Sequence, residues 1–222
     1  MSSYRLIEER YALPSPAGAF HAASHRNNDP VRSLLCALLC ALLCALLQYE
    51  TTPAVTQQAL ERWTSLSGED AQEALYHAQS LGWVEGFREE RNAPPGALET
   101  LLPELLPPLS DCGKALLADS HGFYVAASGF THEAAIELSA LSADLASLDN
   151  RHQSLTHNNL RIPTSAWALV DAAGNSQLGF WPLFIDDQRF ALVLQGVPHL
   201  NQSVFTSLVW ALSTRYAGSK RD

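Results

Sequence analysis

No segment of this chain carries the excess of basic side chains that phosphate contacts demand. Lys and Arg number 14 against 23 Asp and Glu, a formal net charge of −9. The deficit runs through both halves: residues 1–114 hold eight Lys or Arg against fourteen acids, and residues 115–222 hold six against nine. Counterion release on phosphate neutralisation drives nucleic-acid binding, so a protein or small-ligand partner is expected instead. Catalytic signatures are missing too. The chain has no Gly-x-x-x-x-Gly-Lys-Ser/Thr phosphate loop, no Gly-x-Ser-x-Gly elbow and no His-Glu-x-x-His pair. His152 and His157 share one polar stretch and read as solvated loop residues. No enzyme activity, cofactor or metal is expected.

Long apolar runs are scarce. The one candidate, Leu34–Leu47, is fourteen residues of repeated Leu-Leu-Cys-Ala without a charge. As a helix it rises about 21 Å, short of the ~30 Å hydrocarbon core, so it reads as a buried helix or a self-association seam. Cysteine is sparse and oddly placed. Cys36, Cys40 and Cys44 recur every turn on one face of that run, and Cys112 stands apart. Tetrahedral metal sites favour two-residue gaps and a fourth ligand, so three small apolar side chains in a packed seam are expected. The pattern is not the framework of a small secreted domain and fits a reducing compartment. Glu8 and Glu9 stand where a secretory signal would be basic, and a cytoplasmic setting is expected.

What is present is organised around residues 114–216. Ala115–Asp119 and Phe123–Ala127 are short apolar runs about a Gly-containing turn, a β-hairpin signal. Leu138, Leu141, Leu145 and Leu148 then recur at helical spacing, with Thr131 as N-cap and Glu133 in the first turn. Residues 151–165, with Asn158-Asn159, read as a loop. Strands follow at 167–170, 177–185 and 189–194, joined by tight turns. Pro182 has no N–H to donate and belongs at an edge or bulge. A last helix starts at Asn201, with Leu200 and Phe205 as a hydrophobic staple, and ends at Gly218. With a preceding helix in 98–109, the order is α-β-β-α-β-β-β-α, a five-stranded antiparallel sheet with helices on its faces.

The hairpin Leu117–Gly122 with Phe123–Gly129, the Ala/Leu-rich helix Glu133–Leu148 and the turn Val170-Asp-Ala-Ala-Gly174 resemble the roadblock (dynein-light-chain-related) family, within a profilin-like α/β class. The resemblance covers about half the chain. It implies a domain that homodimerises by pairing a strand and a helix across a two-fold axis. It also implies binding of small GTPases or a scaffold role, with no catalytic residues. On that reading the expected interface is Leu138, Leu141, Leu145, Leu148, Trp167 and Leu169. The long 151–165 segment departs from the family pattern and leaves the dimer geometry open.

The first half is mainly helical. Tyr4–Ile7 and Tyr11–Leu13 read as strand fragments, with Ala19–Ala23 returning onto them as a hairpin. Helices follow in 34–47, near Pro53, and from Ser67 or Gly68, with Ala71, Ala74, Leu75 and Ala78 inward. Leu81-Gly-Trp-Val84 then enters a strand. The order over 29–91 resembles a winged helix, with Leu81, Trp83 and Val84 closing its core. Glu69–Arg91 carries six acids against two arginines, which would turn negative charge toward phosphates. Protein contact is therefore expected of it rather than DNA. The expected division is 1–92, a linker at 93–97 around Pro94-Pro95-Gly96, and 98–218. The leading expectation is an adaptor or regulator that homodimerises and binds a protein, with small GTPases as the class the resemblance offers. The alternatives are a transcription regulator with a winged helix and a sensor domain, and an enzyme or metal protein using the cysteine face.

Overall fold

The architecture was analysed in a computed structural model, which describes residues 6–7, 10–24, 34–162 and 164–217. The chain is mixed α/β. Strand β1 (Tyr11–Pro14) is followed by helices α1 (Pro16–Ala23), α2 (Leu34–Leu46), α3 (Gln57–Thr64) and α4 (Gly68–Ser80), then β2 (Val84–Phe87). The second half runs α5 (Leu98–Leu105), a 3₁₀ turn at Pro107–Leu109, β3 (Ala115–Ala118), β4 (Tyr124–Ser128), α6 (His132–Gln153), β5 (Trp167–Val170), β6 (Ser176–Ile185), β7 (Gln188–Gln195) and α7 (Ser203–Tyr216). The expected order of the second half is observed, and its five strands form one antiparallel sheet in the order β4-β3-β7-β6-β5. Pro182 pairs with Ala191 on the β7 side, in the stretch of β6 that runs past β5. The missing N–H is thus tolerated where no ladder partner from β5 needs it.

Four expectations fail for identifiable reasons. Ala19–Ala23 is helical, not a returning strand. Ser15 accepts from Gly18 N at 3.1 Å and Pro16 fills the first helical position, a start signal that the apolar alternation masks. The strand at 11–14 finds its partner in β2 instead, with Tyr11 opposite Phe87 and Pro14 opposite Val84. Helix α3 begins at Gln57 under a Thr56 cap rather than at Pro53. Leu81 is 53% exposed and does not close the helical core, although Val84 does and Trp83 packs against it. The last helix is capped at Gln202, without a side-chain bond, instead of at Asn201. The readings at 1–5, 8–9, 25–33 and Gly218 lie outside the described residues.

The core explains how the halves are held. One buried cluster runs from Leu42 and Leu43 of α2 through Ala19 of α1 to Phe205, Leu208 and Leu212 of α7, and on to Leu117, Leu183 and Leu192 of the sheet. Helix α1 is the wedge between them, packing on α2, α7 and β6. The thiols of Cys40 and Cys44 point to the His21 and Ala22 carbonyls at the end of α1, at 3.5 and 3.7 Å. They thereby serve acceptors that a helix C-terminus leaves open.

Close approach at the wedge has a testable consequence. A methyl group on Gly18 would overlap the Trp83 carbonyl. That carbonyl accepts from Ser15 N at 3.0 Å, and Trp83 N donates to Ala78 O at 2.8 Å, so the backbone cannot easily retreat. Gly18→Ala is expected to destabilise the fold by about 1–3 kcal/mol, the usual range for overpacking, despite alanine's better helix propensity. Urea unfolding would show it as a lower midpoint at unchanged slope.

Candidate protein-interaction face

Helix α6 begins where Thr131 accepts from Ala134 N at 3.3 Å. Glu133 in its first turn titrates below the usual carboxylate range, chiefly because it accepts a backbone N–H and also bonds the Thr131 hydroxyl. The helix lies over β3, β4 and β7. Its contact stripe is not the leucine row but Ala135, Ser139 and Ser142, all buried. Ser139 Oγ donates to Ala135 O at 2.6 Å and Ser142 Oγ to Ser139 O at 2.7 Å, so both hydroxyls are satisfied within the helix. Small side chains let α6 sit close to the sheet. The tip of the β3–β4 hairpin meets it there, since a Cβ on Gly122 would come within 3.3 Å of Ala143.

That close seat pushes the leucines to the flank. Leu138 and Leu145 pack half-buried on a second cluster formed by Leu116, Phe180 and Val193. Leu141 is 41% exposed, and Leu148 is half-buried further along. Beside Leu138 and Leu141 opens a groove of about 560 Å³. Phe130 and Leu178 line it with them, and Lys114, Glu137, Gln177 and Gln195 supply polar groups.

The sheet continues this surface. Trp167 is opposite Phe180 and Leu169 opposite Leu178 in the β5–β6 register. Directly opposed residues share a face, so both lie on the α6 side of the sheet. Trp167 is half-buried, while Leu169 and Val170 are among the most exposed apolar side chains described. Among the described residues, strand β5 ends the sheet with one side unpaired, and its sequence Trp-Ala-Leu-Val holds no charge or proline. Soluble proteins ordinarily guard such an edge with Lys, Pro or a covering element. Of the six expected interface residues, Leu138 and Leu141 thus line the groove, and Trp167 and Leu169 extend its face. Leu145 packs beneath, and Leu148 lies one turn beyond. Phe130, Leu178 and Lys114 were not anticipated. In the sequence, only the alternation of Leu178 with Phe180 along one strand bears on any of them.

The segment after α6 also corrects the expectation. Residues 151–153 extend the helix and Ser154–Asn159 form a π-helical turn, so the supposed loop is largely wound. His152 therefore lies on α6, and His157 Nε2 is 3.4 Å from Ser165 Oγ.

The turn that holds β5 against β6 depends on one carboxylate. Asp171 Oδ1 accepts from Ala173 N at 2.8 Å and Asn175 N at 2.9 Å, and its Oδ2 accepts from the Asn175 and Gln177 side-chain amides at 3.3 Å. The Asn175 backbone bond, first among these, lowers the carboxyl below its ordinary value of 3.8. A depressed native pKa stabilises the turn above the unfolded value and is lost as pH falls through the native one. The Ala173 and Asn175 amide resonances are therefore expected to titrate together with a midpoint below 3.8. In Asp171→Asn this step should vanish.

Elsewhere the surface is acidic. Glu69, Asp70 and Glu73 are exposed on the first turns of α4, and Glu85, Glu89 and Glu90 are exposed on and after β2. The exposed Arg91 guanidinium sits 3.6 Å over the Phe87 ring and keeps its charge there. Among the described residues, no three His, Cys, Asp or Glu converge to hold a metal ion, and no helix is long and apolar enough to cross a membrane. Compared with known proteins, the chain matches no family model, no curated protein and no solved structure at a significant level.

Proposed function

We propose that this chain is a non-enzymatic adaptor or regulatory protein of the cytoplasm that homodimerises and binds a protein partner. One observation carries the reading: the groove beside α6 and the unguarded edge of β5 form a continuous apolar face that none of the described residues covers. The resemblance to the roadblock family agrees with the order α-β-β-α-β-β-β-α and offers small GTPases as the partner class. The winged-helix resemblance of the first half adds a second contact surface, whose acidity favours a protein over DNA. Sedimentation equilibrium at micromolar concentration tests the reading. A dimer is expected, and a strict monomer would overturn it. Retention of purified small GTPases in their GDP- and GTP-bound states would identify the partner class.

A second reading, a transcription regulator with a winged helix and a sensor domain, is favoured only by the size of the α6 groove, which falls within the range of small-ligand pockets. Mobility shifts on random and genomic DNA across a salt series separate the two. Tight, salt-sensitive binding would favour the regulator.

A further inference from the structure

We infer that each copy of the chain fills the α6 groove of a second copy with the apolar turn that follows its own α6. The inference rests on the homodimer reading and specifies its geometry. Two apolar features that no described residue covers lie at opposite ends of one helix. At the N-terminal end is the groove lined by Leu138, Leu141, Phe130 and Leu178. At the C-terminal end is a knob made by Leu155, Leu160 and Ile162, which are 49%, 58% and 40% exposed.

The knob is built rather than loose. Leu160 N donates to Leu155 O and Ile162 N to Thr156 O, both at 2.9 Å, and Arg161 takes a left-handed φ of 54° to close the turn. Winding of this wide type is uncommon and concentrates at functional sites. A folded turn that presents three large apolar side chains to water has a reason to exist if a surface receives them.

The chain cannot serve as its own receiver. From Leu141 to Leu155 is about 21 Å along a helix at 1.5 Å per residue. A two-fold axis removes that separation, because an isologous contact pairs residue i with j and j with i. If two α6 helices run antiparallel about Leu148, Leu155 of each copy falls beside Leu141 of the other. Leu148 then meets its own counterpart, and Leu145 stays inside the seam. The segment from Ser154 to Ile162 contains no acid and one exposed Arg161, and the receiving groove carries both Glu137 and Lys114, so it sets no net charge against this occupant. The exposed Leu169 of β5 borders the same side of the molecule.

A charge exchange tests the pairing. Leu141→Arg and Leu155→Glu alter exposed positions, so each variant should keep the wild-type circular dichroism. Each alone should weaken self-association at least tenfold, because every contact in its homodimer sets a charge against a leucine. An equimolar mixture should return to within about threefold of the wild-type affinity. In the mixed dimer one contact is Arg with Glu and the other is leucine with leucine. If the wild type dimerises but the mixture stays as weak as its components, or if neither variant weakens the dimer, this inference falls and the adaptor reading stands. A wild-type monomer would remove both.

Discussion

Phe205→Ala is expected to lower the unfolding free energy by about 3–5 kcal/mol, the range for emptying a fully buried aromatic site. Phe205 is 0% exposed in the first turn of α7. Its ring centroid is 6.3 Å from that of Phe20 on α1. The same helix reaches the first half again through Trp210, whose Nε1 donates to Tyr49 O at 2.7 Å. The cavity would therefore open where the helical half and the sheet half share one core, and neither side could close it alone. Both halves are expected to lose stability together. Tryptophan fluorescence and far-UV circular dichroism should give coincident urea curves with a common shift in midpoint. Two separated transitions, with only the later one moved, would show that α1 does not couple the halves.

The second large effect concerns association rather than folding. The double variant Leu141→Arg/Leu169→Arg is expected to convert the dimer to a monomer at micromolar concentration. Both side chains are largely exposed in the single chain, so their replacement should leave the thermal transition of the monomer nearly unchanged. In the proposed dimer Leu141 receives Leu155 of the second copy, and Leu169 lies on the adjoining part of the same face. Truncating central interface residues costs roughly 2 kcal/mol each, and burying an unpaired charge costs more. A combined loss of about 4 kcal/mol corresponds to a rise in Kd of about 1000-fold. Sedimentation equilibrium would measure it. An unaltered dimer would place the interface elsewhere and remove α6 and β5 from consideration.

The Cys36, Cys40 and Cys44 row shows how a pattern and its meaning come apart. Helical spacing alone puts three sulfurs on one face and favours a packed seam over a tetrahedral metal site, but it does not say what the seam packs against. The position of α1 against that face shows the local role, because Cys40 and Cys44 point to backbone carbonyls of α1. Gly18 makes the same point from the other side. Its identity is plain in the sequence, but the need for it arises only where α1 meets the Trp83 backbone.

The sequence by itself determined the five strands, their antiparallel order of appearance, the Thr131-capped helix and the inward face of α4. Each is written in a local period of two or 3.6 residues and in turn chemistry confined to a few neighbouring positions. Tertiary structure decided what local periods cannot express. Tyr11–Pro14 pairs with β2 seventy or more residues away, so its partner is set by packing. Ser139 and Ser142 make the closest approach to the sheet, with Leu138 and Leu145 packed half-buried beside them, because only short side chains allow that approach. The leucines displaced by that choice, the bare edge of β5 and the wound turn after α6 together make the candidate interface. A row of leucines in sequence marks an apolar surface, but which side of it is left for a partner depends on which side the rest of the chain has already taken.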